Sequence, residues 1–130
     1  MDKQRFTILV VDDEPDVRRN IEKVLEREGY SIRTAADAEQ AIQEIDQHTF
    51  DLIILDVRMP DSTSKLSKRA GVDVLQKTRA KGFAIPVIML SASHDNALIE
   101  EIRGYSGTRF FIKSDLSSKD LIKIVKELLM

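Results

Sequence analysis

At 130 residues the chain is long enough for one domain with a single buried core and too short for two. Its 42% hydrophobic and 32% charged content speaks against a disordered chain, and a formal charge of -2 gives no support to electrostatic binding of nucleic acid. The absence of cysteine removes disulfides and thiolate metal sites, and two histidines, His48 and His94, are too few for a zinc cluster, so any metal must be held by oxygen.

Residues 1–7 are polar and lack the apolar centre of a signal peptide, and no run approaches the ~20 apolar residues of a membrane span, so a cytoplasmic chain is expected. Residues 8–11 are continuously apolar, as in a strand covered on both faces. A helix follows, with Pro15 in its first turn, Val17, Ile21, Val24 and Leu25 on one face, and Gly29 at its end. Residues 31–34 read as a weaker strand, and 38–47 as a helix that Asp37 caps with Gln40 at the reciprocal position. A second continuous apolar strand covers 52–55. The polar stretch 61–70, rich in Ser, Lys and Arg, reads as an extended loop before a helix over 72–80. Residues 87–90 give a third apolar strand, 95–103 a fourth helix, and 109–112, with Phe110 and Phe111, a fifth strand. The last helix begins at Ser117, with Asp120 three residues on, and buries Leu121, Ile124, Val125 and Leu128. Strand and helix alternate five times, which predicts an α/β domain over 1–130: parallel strands, right-handed crossovers and helices on both faces of an open sheet.

In such a sheet the carboxyl ends of the strands share one edge, where ligands bind at the point of strand-order reversal. The first strand ends in Asp12 and Asp13, the third in Asp56, the fourth in Ser91 and the fifth in Lys113. Taken singly, each acid is as good a helix cap as a ligand, and Ser91 and Lys113 are ordinary turn and surface residues. Caps and surface residues that arose independently have no reason to fall together after strands one, three, four and five. Three converging carboxylates repel one another unless a cation lies between them, and magnesium suits that oxygen set. An ammonium and a hydroxyl beside them suit a phosphoryl group.

The runs Val10-Val11-Asp12-Asp13-Glu14-Pro15, Asp56-Val57-Arg58-Met59-Pro60 and Leu90-Ser91-Ala92, followed by Lys113, resemble the receiver domains of bacterial response regulators over essentially the whole chain. The resemblance implies the flavodoxin-like (βα)5 fold with a five-stranded parallel sheet of order 2-1-3-4-5. It implies that Asp56 accepts phosphate from a histidine kinase or phosphotransfer protein. Asp13 would bind Mg2+ directly, with Mn2+ as a substitute, Asp12 would assist through water, and Arg58 would offer its backbone carbonyl. Ser91 and Lys113 would contact the phosphoryl group, and Ser91 with Phe110 would switch the face made by the fourth helix, fifth strand and fifth helix. That face would engage a downstream partner, an output domain outside this chain or a second copy on phosphorylation, with no nucleic acid or membrane bound by this chain itself.

Three positions depart from the family pattern. Ser114 follows the lysine where a proline, often cis, is usual. The glycine usually found four residues after the Met-Pro proline is Gly71, an insertion of about seven residues after Pro60 that carries Lys65, Lys68 and Arg69. The switch aromatic is Phe110, without a hydroxyl. Arg58 and Ser93 flank the site where family members vary and would tune hydrolysis. A second reading is an atypical receiver that binds proteins without phosphorylation. An aspartyl phosphatase of the haloacid-dehalogenase type is disfavoured because it needs Asp-x-Asp where Asp12 and Asp13 are adjacent. A flavin site is disfavoured because those acids would repel a cofactor phosphate.

Overall fold

The computed structural model describes residues 5–60, 66–67, 69–82, 84–92 and 94–129. Five parallel strands, β1 (Thr7–Val11), β2 (Ser31–Ala35), β3 (Leu52–Asp56), β6 (Val87–Ser91) and β7 (Thr108–Ile112), make one sheet in the order β2-β1-β3-β6-β7. Counted along the chain within this sheet the order is 2-1-3-4-5, the expected flavodoxin-like arrangement. Helices α1 (Pro15–Arg27), α2 (Ala38–Gln47), α3 (Ala70–Ala80), α4 (Asn96–Arg103) and α5 (Ser118–Leu129) connect and cover it.

Successive side chains of a strand point to opposite faces, so continuous apolar strands feed two cores at once. Ile8, Val10, Leu52, Ile54, Ile88 and Leu90 pack against Ile21 and Leu25 of α1 and Leu121 and Val125 of α5. Leu9, Val11, Ile53, Leu55, Val87 and Met89 pack on the other side, with α2, α3 and α4. Each of these strand residues is 4% exposed or less, which is why no polar alternation marks these three strands.

The helix starts follow the chemistry expected of them. Asp37 accepts from the Gln40 N–H (2.8 Å), though the Gln40 side chain reaches back to the N–H of Ala36 (2.9 Å), one residue beyond the usual partner. Ser117 and Asp120 bond reciprocally at the start of α5 (3.0 and 3.1 Å).

The stretch 61–70 differs from a plain loop at both described ends. Met59–Pro60 (β4) and Leu66–Ser67 (β5) pair antiparallel, and α3 begins at Ala70, two residues before the expected start. Two-residue strands are too short to show any period, so no pattern announces them. Residues 61–65, with Lys65, and Lys68 and Ser93 lie outside the described residues.

Gly71 is buried in the first turn of α3, and its N–H donates to the Val57 carbonyl (3.0 Å). A methyl group there would lie 2.3 Å from the Asp56 carbonyl oxygen and 2.8 Å from Val57 Cα. After the insertion the chain returns to a place where only glycine fits, directly against the strand end that carries Asp56.

Candidate phosphoryl and metal site

Four of the five strands, β1, β3, β6 and β7, bring polar residues to the carboxyl edge: Asp12 and Asp13, Asp56, Ser91 and Lys113. Asp12 continues the ladder after β1, its N–H donating to Ala35 (3.1 Å), and Val57 does so after β3, donating to Leu90 (2.9 Å). The Asp12 carboxylate turns back to accept the Glu14 N–H (2.9 Å), and Arg18, one turn into α1, donates to its carbonyl (2.7 Å). This local turn leaves the other carboxylate oxygen of Asp12 facing across the sheet.

Lys113, at the end of β7, reaches that oxygen. Its Nζ lies 2.9 Å from Asp12 Oδ2 and 3.1 Å from Asp56 Oδ2, with Glu14 at 3.9 Å. Lys113–Asp115 forms a 3₁₀ turn, closed by the Leu116 N–H on the Lys113 carbonyl (3.2 Å), and the described peptide bonds are all trans, so Ser114 follows the lysine without a cis link. Asp12, Asp13 and Asp56 each bring a carboxylate oxygen within 4.8 Å of the other two. Asp12 is 1% exposed and Asp56 5%, whereas Asp13 is half-buried and lines the cleft above them.

That cleft, of about 440 Å³, is bounded by Asp13, Asp56, Arg58, Ser91 and Lys113. Five of the residues expected at the site therefore line it, and Asp12, the sixth, joins them through Lys113 and its closeness to Asp13 and Asp56. Phe110 is elsewhere, half-buried in a groove with Ile99 and Ile102 of α4 and packed on the core beside that helix.

Five further contributors were given no role by the sequence reading. Glu14 and His94 line the cleft, as do Asp95, which caps α4 by accepting from Leu98 (3.2 Å), and Leu98 itself. Arg18 could not be told from the other basic residues of α1.

Burial pushes the Asp56 carboxyl up to about 7, the nearby Asp12 charge adds to this, and Lys113 opposes it. Burial also works against the charge of Lys113, but its bonds to Asp12 and Asp56 outweigh that and hold it above the ordinary lysine value. The lysine is an ammonium facing two acids, one of which is too crowded to ionise freely. This all-oxygen donor set, short of positive charge, fits a hard divalent cation such as magnesium.

The comparisons with known proteins agree with the geometry. The family model described as the response regulator receiver domain matches residues 8–126. The transcriptional regulatory protein ResD of Bacillus subtilis is 37% identical over 99% of this chain and 50% of its own length. The probable transcriptional regulatory protein TcrX of Mycobacterium tuberculosis is 33% identical over 98% of this chain and 51% of its own. The chain thus spans about half the length of the regulators it matches. Among solved structures, the response regulator TrrA of Thermotoga maritima in complex with Mg2+ and BeF is 31% identical with a TM-score of 0.79, covering 95% of this chain and 99% of that one. The receiver domain of the Francisella response regulator 1452 is 27% identical with a TM-score of 0.81, covering 96% and 97%. With these matches added to the sheet order and the acidic edge, the chain belongs to the response regulator receiver domain family of two-component systems.

Proposed function

We propose that Asp56 is the phosphoacceptor of a phosphorelay, fed by a histidine kinase or phosphotransfer protein. The observation that carries this reading is the lysine bridge: one half-buried ammonium bonds Asp12 and Asp56 together at a cleft that Asp13 also lines. An Asp56 oxygen attacks phosphorus, the bond from phosphorus to the donor nitrogen breaks, and the imidazole leaves with the electron pair. A bound cation would return the crowded Asp56 carboxyl to its anionic form, so no general base would be needed, and positioning with charge neutralisation would supply the acceleration. Asp13 would be the direct metal ligand, with Asp56 and the Arg58 carbonyl, while Asp12 would assist through water and holds Lys113. Magnesium, or manganese in its place, supplies positive charge to the phosphoryl oxygens when bound. Lys113 moves from bridging the acids to pairing with a phosphoryl oxygen, and the Ser91 hydroxyl donates to another.

The same reading makes Ser91 and Phe110 the switch. A shift of Ser91 toward phosphate vacates space that the half-buried Phe110 ring can fill, which alters the face of α4, β7 and α5. That face then engages a downstream protein, an output domain or a second copy, while this chain itself contacts neither nucleic acid nor membrane. We read its place as cytoplasmic; among the described residues no helix is long and apolar enough to cross a membrane.

Incubation with a small-molecule phosphodonor and magnesium, followed by intact-mass measurement, tests the core of this reading. One phosphate is expected on the unaltered chain and none on Asp56→Asn. A base-labile phosphate on the Asn variant would overturn the assignment, and no uptake at all would favour a receiver that works unphosphorylated.

A further inference from the structure

We propose that Arg69 and Glu101 are a positioning pair that holds α4 in its resting place and thereby weakens the hold of the site on a phosphoryl group. Arg69 ends the stretch inserted after Pro60 and stands at the N-cap of α3, where its side chain makes no capping bond. Its guanidinium instead forms a two-pronged contact with the Glu101 carboxylate on α4, Nη1 to Oε1 at 2.9 Å and Nη2 to Oε2 at 2.7 Å. Gln76, further along α3, reaches the same Oε2 at 3.4 Å. The side-chain bonds hold Arg69 above and Glu101 below their ordinary pKa values, so both are charged. A planar fork matched to a carboxylate fixes direction as well as distance.

Both ends of this contact lead back to the site. On one side, Gly71 packs against the Asp56 carbonyl and donates to Val57, which anchors Arg69 to the strand end that bears the phosphoacceptor. On the other, α4 has only two turns. Its capping residue Asp95 and its Leu98 line the cleft, and Glu101 is in its last turn. So short a helix moves as one body, and a rearrangement at the cleft end must displace Glu101. The pair is closed in the arrangement where Lys113 bridges the bare acids, so it stabilises that arrangement. By reciprocity, whatever the pair adds to the resting state it subtracts from phosphoryl binding.

The inference rests on the phosphoacceptor reading, and one titration separates the two. Beryllium trifluoride with excess magnesium is titrated into the full chain and its variants. Arg69→Gln and Glu101→Gln should each bind the probe about threefold to fivefold more tightly, the size a half-exposed two-pronged pair can produce. Arg69→Lys, which keeps the charge and loses the fork, should fall between, and the exchanged pair Arg69→Glu with Glu101→Arg should return toward the unaltered affinity. A purely structural role would lower the melting temperature without this rescue. Unchanged or weaker binding in the Gln variants, or no recovery in the exchanged pair, would overturn the pairing alone. Failure of the unaltered chain to bind the probe would overturn both readings.

Discussion

Two connections leave the strands that carry the acids, and they are built in opposite ways. From β1 to α1 the chain needs only residues 12–14, closed by the Glu14 N–H on Asp12 and by Pro15, whose fixed φ suits a first helical turn. From β3 to α3 it uses residues 57–69, including the β4–β5 pair, yet it comes back to place Gly71 against the Asp56 carbonyl. The first connection is fixed by its length and the second by a contact. The site tolerates an insertion because a long loop costs little entropy while a close approach admits no error.

Gly71→Ala attacks that contact directly. With an added methyl 2.3 Å from backbone oxygen, nothing flexible can give way, and a loss of about 3 kcal/mol is expected in denaturant unfolding, along with reduced phosphodonor labelling. A change below about 1 kcal/mol would mean that α3 is free to slide.

The proposed metal ligands test the other connection, since Asp13 lines the cleft while Asp12, which does not, is held by Lys113. Asp13→Ala is expected to lower magnesium affinity by about a hundredfold and Asp12→Ala by about tenfold, as for direct and outer-shell groups. Calorimetric titration measures both, and equal losses would erase the distinction between them.

A smaller effect follows from the crowding of Asp56. Its carboxyl is raised from 3.8 to about 7 chiefly by burial, so the folded, metal-free chain binds a proton that the unfolded chain releases sooner. The contribution of this group to stability is complete below the lower value and is lost as pH rises through the interval. Denaturant midpoints with chelator should therefore fall for this reason between about pH 4 and about pH 7, and saturating magnesium should flatten the slope. A midpoint that rises over this interval in Asp56-dependent fashion would contradict the burial argument.

The smallest effect is expected from shortening residues 61–65. Stability should shift by less than about 1 kcal/mol, since closure entropy changes slowly with loop length. A larger shift would show that the second connection is governed by its length after all.

Much of this comparison was legible in the sequence, and the reason lies in which forces are local. The apolar runs, the caps at Asp37 and Ser117, and the acids after β1 and β3 all act within a few residues of themselves. They could be read without knowing what they would touch. The β4–β5 pair, the Arg18 contact and the Arg69–Glu101 fork depend on residues distant in space or on segments too short to carry a period. Gly71 lies between these cases: family resemblance marked it as displaced, and only the packing explains why it had to be glycine.

The doubly covered strands carry a consequence for how the chain finds its alignment. In a sheet with one wet face, a slip of one residue is punished at once because apolar groups turn outward. Here both faces of β3 are dry, so exchanging Leu52 and Ile54 for Ile53 and Leu55 exposes no hydrocarbon. Polar residues at the ends of the strand do the marking. Asp51 accepts the Thr7 N–H and gives its own N–H to the Thr7 carbonyl, both at 2.8 Å, while Asp56 stands where Lys113 can meet it. A slip in either direction would draw one of these aspartates toward the hydrocarbon interior without its partner. Asp56, the proposed phosphoacceptor, is thus also placed to act as an end stop in the alignment of the central strand, independently of any phosphate.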